Sequence, residues 1–264
     1  MMAHGQSGAV IWVSRLNGET ALSTIHSVPK IVILTGAGIS AESGLKTFRD
    51  GNGLWENHRI EDVATPEAFA RDPQLVYTFY NQRRAQLQSP QVFPNAAHKA
   101  LARLEQKIGN NCNIVTQNVD NLHERAGSKN VLHMHGQLNA ARCCKSNQVF
   151  EITEDFDQAS QCHCCQPPQR LRPNIVWFGE IPLFMPVITK ALMDADIFLS
   201  IGTSGNVYPA AGFVQEAADN GATTIEINLQ AGTNNDLFDQ HIQGLATETV
   251  PHYVDTLIST LGLE

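Results

Sequence analysis

The sequence predicts an α/β fold: a doubly wound parallel sheet, Rossmann-like in layout, with a smaller unit built from two insertions. Three observations carry this. Short, continuous apolar runs alternate with helical patterns. Continuous rather than alternating apolarity marks strands buried on both faces, as in a parallel sheet covered by helices. A glycine-rich turn directly follows the first run, and five of the cysteines crowd into one later segment.

The bulk numbers narrow the class. The chain has 264 residues, 42% hydrophobic and 17% charged. This is globular composition, which excludes a disordered, collagen-like or coiled-coil chain. With 18 basic and 26 acidic residues the formal charge is −8. No global basic field exists to hold a polyanion, so nucleic acid is not expected as a direct partner. No apolar stretch approaches the ~18 residues of a membrane span. The first residues lack the cationic and apolar regions of a signal peptide, so a cytoplasmic location is expected. The oligomeric state is left open.

Taken in order, residues 1–28 read as an extension ahead of the first clear element. Ile31-Val32-Ile33-Leu34 opens the sheet, bounded by Pro29 and Gly36. Gly36-Ala37-Gly38-Ile39-Ser40-Ala41 then fits G-x-G-x-x-A, a form of the dinucleotide fingerprint. Its glycines let the backbone turn tightly and approach a pyrophosphate. A tight turn without a ligand is the plain alternative. Residues 46–91 contain no central strand. Helices are predicted over 72–88 and 95–108, with Pro73 near the first start.

Asn113-Ile114-Val115-Thr116 is the next strand, followed by Gln117-Asn118-Val119-Asp120. The run over 130–134 ends in His133-Met134-His135-Gly136. Amide, carboxylate and imidazole at neighbouring strand ends can surround one reacting centre, and a neutral His can accept a proton from a hydroxyl. Each polar residue alone is equally a turn or cap residue; their coincidence points to a site. The runs 174–178, 196–201 and 224–227 complete the predicted sheet, with helices at 183–194, 209–220 and 251–261, Pro209 and Pro251 standing near two of the starts. Gly202-Thr203-Ser204 and Asn228-Leu229-Gln230 follow two of these strands, where open α/β sheets bind ligands. The acid that usually grips the adenosine ribose about 20 residues after the glycine loop is missing. That position is the polar loop Thr47-Phe48-Arg49-Asp50, which argues against a hydride-transfer dehydrogenase.

The segment 137–173 carries Cys143, Cys144, Cys162, Cys164 and Cys165. A cluster of thiols in one insert favours a structural zinc over a disulfide framework. The separation of 19 positions between Cys143 and Cys162 suits paired knuckles. Cys143, Cys162 and Cys165 are the predicted ligands; Cys144, Cys164 or His163 completes or replaces one. Free surface thiols are the plain alternative.

Together these motifs resemble the sirtuin family. Gly-Ala-Gly-Ile-Ser (36–40), Thr-Phe-Arg (47–49), Thr-Gln-Asn-Val-Asp (116–120), His-Gly (135–136), the thiol site, Gly-Thr-Ser (202–204) and Ile-Asn-Leu (227–229) occur in the family's order over about residues 30–262. The chain is most similar to the bacterial protein deacylases, and Tyr80-Asn81-Gln82-Arg83 matches the Tyr-x-x-Arg motif of the desuccinylase branch. The resemblance implies a Rossmann-like NAD-binding domain over 29–45, 92–136 and 174–264. It also implies a small helical and zinc-binding domain over 46–91 and 137–173. NAD is the implied co-substrate, one structural zinc the implied metal, and acyl-lysine proteins the implied substrates. His135 is implied as general base, with Asn118 beside it. Gly36, Ala37, Gly38, Ile39, Ser40, Ala41, Phe48, Arg49, Trp55, Gln117, Asn118, Asp120, Gly202, Thr203, Ser204, Asn228, Leu229, Gln230 and Ala246 are implied to hold the co-substrate. Val176 and Phe178 are implied to line the acyl-lysine tunnel.

Tyr80 and Arg83 have a physical logic of their own. One helical turn apart, a phenol and a guanidinium share a face and can grip a carboxylate such as succinyl's terminus. Solvated charge on an amphipathic helix, for Arg83 and Arg84 alike, is the plain alternative. The expected activity is removal of acetyl, succinyl and malonyl groups from protein lysines, releasing nicotinamide and O-acyl-ADP-ribose. The alternatives are an ADP-ribosyltransferase and a non-catalytic NAD-sensing zinc module.

Overall fold

The computed structural model describes residues 11–16, 19–24, 28–45, 54–56 and 58–263. Its centre is a six-stranded parallel sheet. In spatial order the strands are Gln240–Gln243, Thr223–Asn228, Ile197–Ile201, Ile31–Thr35, Cys112–Thr116 and Val131–His133. From Ile31–Thr35 the chain winds outward one way through Cys112–Thr116, and later the other way from Ile197–Ile201. The order therefore reverses between these two central strands.

Alternate residues of one strand feed two cores. Ile31 and Ile33 pack with Leu101, Leu104, Val250 and Val254, from the helices Ala96–Ile108 and Ala246–Thr260. Val32 and Leu34 pack on the other face with Ile188, Leu192, Phe213 and Val214, from Met185–Met193 and Phe213–Asp219. Burial on both faces is why these strands read as unbroken apolar runs. Asn95 starts its helix by accepting from the backbone N–H groups of Ala97 and His98.

The smaller unit pairs the Pro73–Leu87 helix with a three-stranded antiparallel sheet. Gly136–Cys143 is its middle strand, flanked by Leu171–Ile175 and Val149–Glu151. Val76, Tyr77, Phe79, Tyr80, Leu138 and Trp177 form its core. Here the structure corrects one expected strand. The apolar run 174–178 is not in the parallel sheet: the strand ends at Ile175, which pairs antiparallel opposite Gly136. Its apolarity comes from packing against the small unit's helix, and apolarity alone does not say which sheet a strand joins. Gly136 has φ +84°, and a Cβ there would sit 1.9 Å from the Asn174 carbonyl oxygen, so this crossing requires glycine.

Three further differences are local. Ile11–Leu16 and Glu19–Thr24 pair as an antiparallel hairpin ahead of the first expected element. The last helix begins at Ala246, leaving Pro251 inside its early turns rather than at its start. The polar strand Gln240–Gln243 was not foreseen, because an edge strand with exposed residues carries no apolar run.

Candidate active site

The reversal point of the sheet is closed by contacts between the two loops that leave it. Gly36 N–H donates to the Ile201 carbonyl at 3.0 Å, and Gly38 N–H to the Gly202 carbonyl at 2.8 Å. A Cβ on Gly38 would lie 2.7 Å from Gly202, and one on Gly202, at φ +62°, 2.5 Å from the Ile39 nitrogen. Only bare backbone fits. The opening at such a reversal, beyond the carboxyl ends of the strands, is where open α/β sheets bind ligands. Here it is a cavity of about 690 Å³ running from the glycine loop to the small unit.

One wall is a polar network. Asn118 donates from Nδ2 to the Gly36 carbonyl at 3.1 Å and to Ser40 Oγ at 3.2 Å, which orients the amide. Ser40 Oγ donates to Asp120 Oδ2 at 3.0 Å, and Asp120 Oδ1 accepts from Leu122 N–H at 3.0 Å. Burial raises the Asp120 pKa, against the pull of these two donors. Gln117 Nε2 bonds Thr203 Oγ1 at 3.0 Å, tying this wall to the loop opposite. Behind it lie His98 and His123, whose pKa values burial pushes down, His98's to about 4. They are neutral supports, and no motif in the sequence marks either one.

The two histidines at the end of Val131–His133 have separate tasks. His133 is buried and engaged at both nitrogens, by Glu124 at 2.6 Å and the Asn118 carbonyl at 3.2 Å. His135 sits where the chain leaves the large sheet for the small one, and lines the cavity. Its Nδ1 faces the Gln117 carbonyl at 3.1 Å, so Nδ1 carries the proton and Nε2 is the ring's acceptor. Burial lowers its pKa, against the Gln117 bond. A base of lowered pKa is deprotonated at neutral pH and stays so below 6.5. The acid limb of kcat/KM should therefore fall below pH 6.5, the rate dropping as His135 gains a proton. A midpoint above 6.5 in a pH profile would count against His135 as that base.

Most of the other sequence-derived residues also border this cavity. Ala37, Ala41, Gly202, Thr203, Ser204, Asn228, Leu229 and Ala246 line it, as do Tyr80, Arg83, Val176 and Phe178 on the small unit's side. Two do not. Ile39 is fully buried core, and Gln230 is exposed outside the lining. Phe48 and Arg49 lie outside the described residues, and of Trp55 the Leu54–Trp55 strand alone is described. Glu56 and Tyr208 line the cavity without having been foreseen. No motif flags them, because their role depends on which elements the fold brings near.

On the small unit's side, the Tyr80 hydroxyl accepts from Trp177 Nε1 at 3.0 Å, and burial raises the phenol's pKa. Arg172 stacks on the Trp177 ring and bonds both oxygens of Glu180, whose Oε2 also accepts from Trp177 N–H at 2.8 Å. Arg84, one residue past Arg83, points into the protein toward Asn81, the Leu138 carbonyl and Asp155. Neither arginine is the solvated charge of the plain alternative.

Four thiols converge at the far end of the small sheet. The Sγ atoms of Cys143, Cys162, Cys164 and Cys165 all lie within 4.8 Å of one another. The pairs 143–162, 143–165 and 164–165 are at 3.5, 3.7 and 3.7 Å. Four sulfurs at 2.3 Å from a tetrahedral zinc stand roughly 3.8 Å apart, so the spacing fits the ion. Backbone N–H groups of Lys145, Ser146 and Gln169 point at Cys143 and Cys162 sulfurs at 3.3–3.4 Å, as thiolates require. Cys164 is the fourth thiol of the cluster. Cys144 is exposed and outside the cluster, and His163 packs against Phe150.

A family model described as the Sir2 family matches residues 36–209. The chain belongs to the Sir2 family. It is 55% identical over 244 residues to a Yersinia pseudotuberculosis protein named NAD-dependent protein deacylase, covering 92% of this chain and 88% of the relative. A Pasteurella multocida protein of the same name is 61% identical over 225 residues, with 85% and 96% covered. Among solved structures, a Sir2 homologue complexed with NAD superposes with TM-score 0.79 at 38% identity, covering 89% of this chain and 90% of that one. A mutant Sir2 homologue with ADP-ribose gives 0.80 at 38%, covering 89% and 94%. No helix among the described residues of this Sir2-family chain is long and apolar enough to cross a membrane.

Proposed function

We propose that this protein is an NAD-dependent protein-lysine deacylase that removes acetyl, succinyl and malonyl groups. The observation that carries the reading is the His135 ring, with Nε2 as its acceptor, in the same cavity as the glycine loop and the Ser40–Asn118–Asp120 network. When bound there, NAD supplies a nicotinamide leaving group and an ADP-ribose acceptor for the acyl group. Gly36, Gly38 and Gly202 pack the two loops tightly together and line the cavity, where their backbone can meet the phosphates. Asn118 and Asp120 orient the reacting end, and His135 takes up a proton at Nε2. Val176 and Phe178 flank the acyl-lysine, leading its acyl end toward Tyr80 and Arg83. The four cysteines hold zinc away from this chemistry as a structural ion. A cytoplasmic location and protein substrates complete the reading.

Mass spectrometry of acetyl, malonyl and succinyl peptides incubated with NAD tests it. Nicotinamide release should depend strictly on an acylated peptide. Release with transfer of ADP-ribose to an unacylated protein would favour the transferase alternative instead.

Arg83 is the proposed carboxylate anchor. Its Nε and Nη1 are buried without a hydrogen-bond partner, and a guanidinium–carboxylate hydrogen bond contributes roughly 1.5–3 kcal/mol. Arg83→Met should raise KM for succinyl-lysine at least about tenfold and change deacetylation much less. Equal damage to both substrates would mark the residue as structural.

A further inference from the structure

Arg83 is the sole lysine or arginine among the described residues lining the cavity. Its side chain is 15% exposed, and Glu56, 12% exposed, places Oε2 at 3.6 Å from Nη1. This is a charge contact without a hydrogen bond, since Nη1 and Nε both lack a hydrogen-bond partner. The other cavity carboxylates are held elsewhere. Asp120 accepts from Ser40 and Leu122, Glu180 from Arg172 and Arg142, and Glu42 from Thr247. Burial works against the guanidinium's charge, and Glu56 is the group that supports it.

We propose that Glu56 is the built-in counterion of Arg83 and sets the balance between neutral and carboxylated acyl-lysines. This rests on the reading of Arg83 as the carboxylate anchor. A neutral acyl group seals the pocket over Arg83, and an unpaired buried cation is costly. With Glu56 in place the pair is already compensated, so acetyl is tolerated. A carboxylated acyl group supplies its own counter-charge, but it arrives beside the Glu56 carboxylate, and that like charge weakens its binding. Glu56 therefore favours neutral acyl groups and opposes acidic ones.

The test is kcat/KM on matched acetyl and succinyl peptides with the full-length protein. Glu56→Gln should raise the succinyl-to-acetyl ratio at least about fivefold, the scale of one like-charge contact in a partly buried site. Glu56→Asp keeps the charge and should hold the wild-type ratio, which controls for folding. In an Arg83→Met background, Glu56→Gln should leave acetyl kcat/KM unchanged, because no guanidinium remains to compensate. A ratio that stays level or falls in Glu56→Gln, while Arg83→Met still loses succinyl selectively, overturns the counterion role and leaves the anchor standing. If Arg83→Met harms both substrates alike, the anchor falls and the counterion role falls with it.

Discussion

Replacing His135 by Ala is expected to lower kcat for deacylation by at least about 100-fold, since a positioned general base contributes roughly 10²–10⁴-fold. Co-substrate binding should survive nearly intact. The ring's one described hydrogen bond goes to the Gln117 carbonyl, while Gly36, Gly38, Gly202, Asn118 and Asp120 hold their places through contacts that do not involve His135. Calorimetric NAD affinity within about threefold of wild type, beside a collapsed turnover, is the expected pair of results. Near-normal turnover would sink the assignment. His133→Ala is a useful contrast. That ring ties Glu124 to the Asn118 carbonyl, so its loss should cost stability as well as rate.

Loss of the zinc ligands is the second large effect. Cys143 ends the middle strand of the small sheet and is fully buried, so an ion held by the four thiols would join that strand to the 162–165 turn. Structural zinc contributes apparent binding free energies of about 10–16 kcal/mol in small zinc folds, and that binding is folding free energy. If only about 3 kcal/mol of it is expressed here, a domain of this size loses roughly 6–12 °C of Tm. Cys143→Ser should therefore melt markedly lower and carry less than one zinc per chain, and Cys164→Ser should do the same. Cys144→Ser should not, because that thiol is exposed and outside the cluster. Elemental analysis and thermal melts of the three variants read this directly. Zinc-free protein with an unchanged melt would refute a structural ion.

Much of this was legible beforehand because it depends on neighbours in sequence. Strands buried on both faces announce themselves as apolar runs, as at 31–34 and 196–201. The glycine loop and the strand-end polar residues read as ligand positions because their spacing fixes the backbone path. Pairings across the chain were less legible. The 174–178 run was apolar enough for either sheet, and its antiparallel partner Gly136–Cys143 shows no simple alternation. Ile39 fell within a motif whose other members line the cavity, yet it points into the core.

By itself, then, the sequence determined the doubly wound sheet, the family, the polar strand-end residues that border the cavity and the thiol cluster, since each is written in local periodicity or motif order. The tertiary structure alone decided the rest. It gave His135 the cavity and His133 the Glu124 contact, because one ring lies where the chain crosses between sheets and the other lies behind it. It placed Cys164 rather than Cys144 among the thiols, because the path of the 162–165 turn sets which sulfur converges. It put Glu56 against Arg83, two residues with no motif in common. Charges far apart in sequence couple only through distance and burial, and those exist only once the chain has folded.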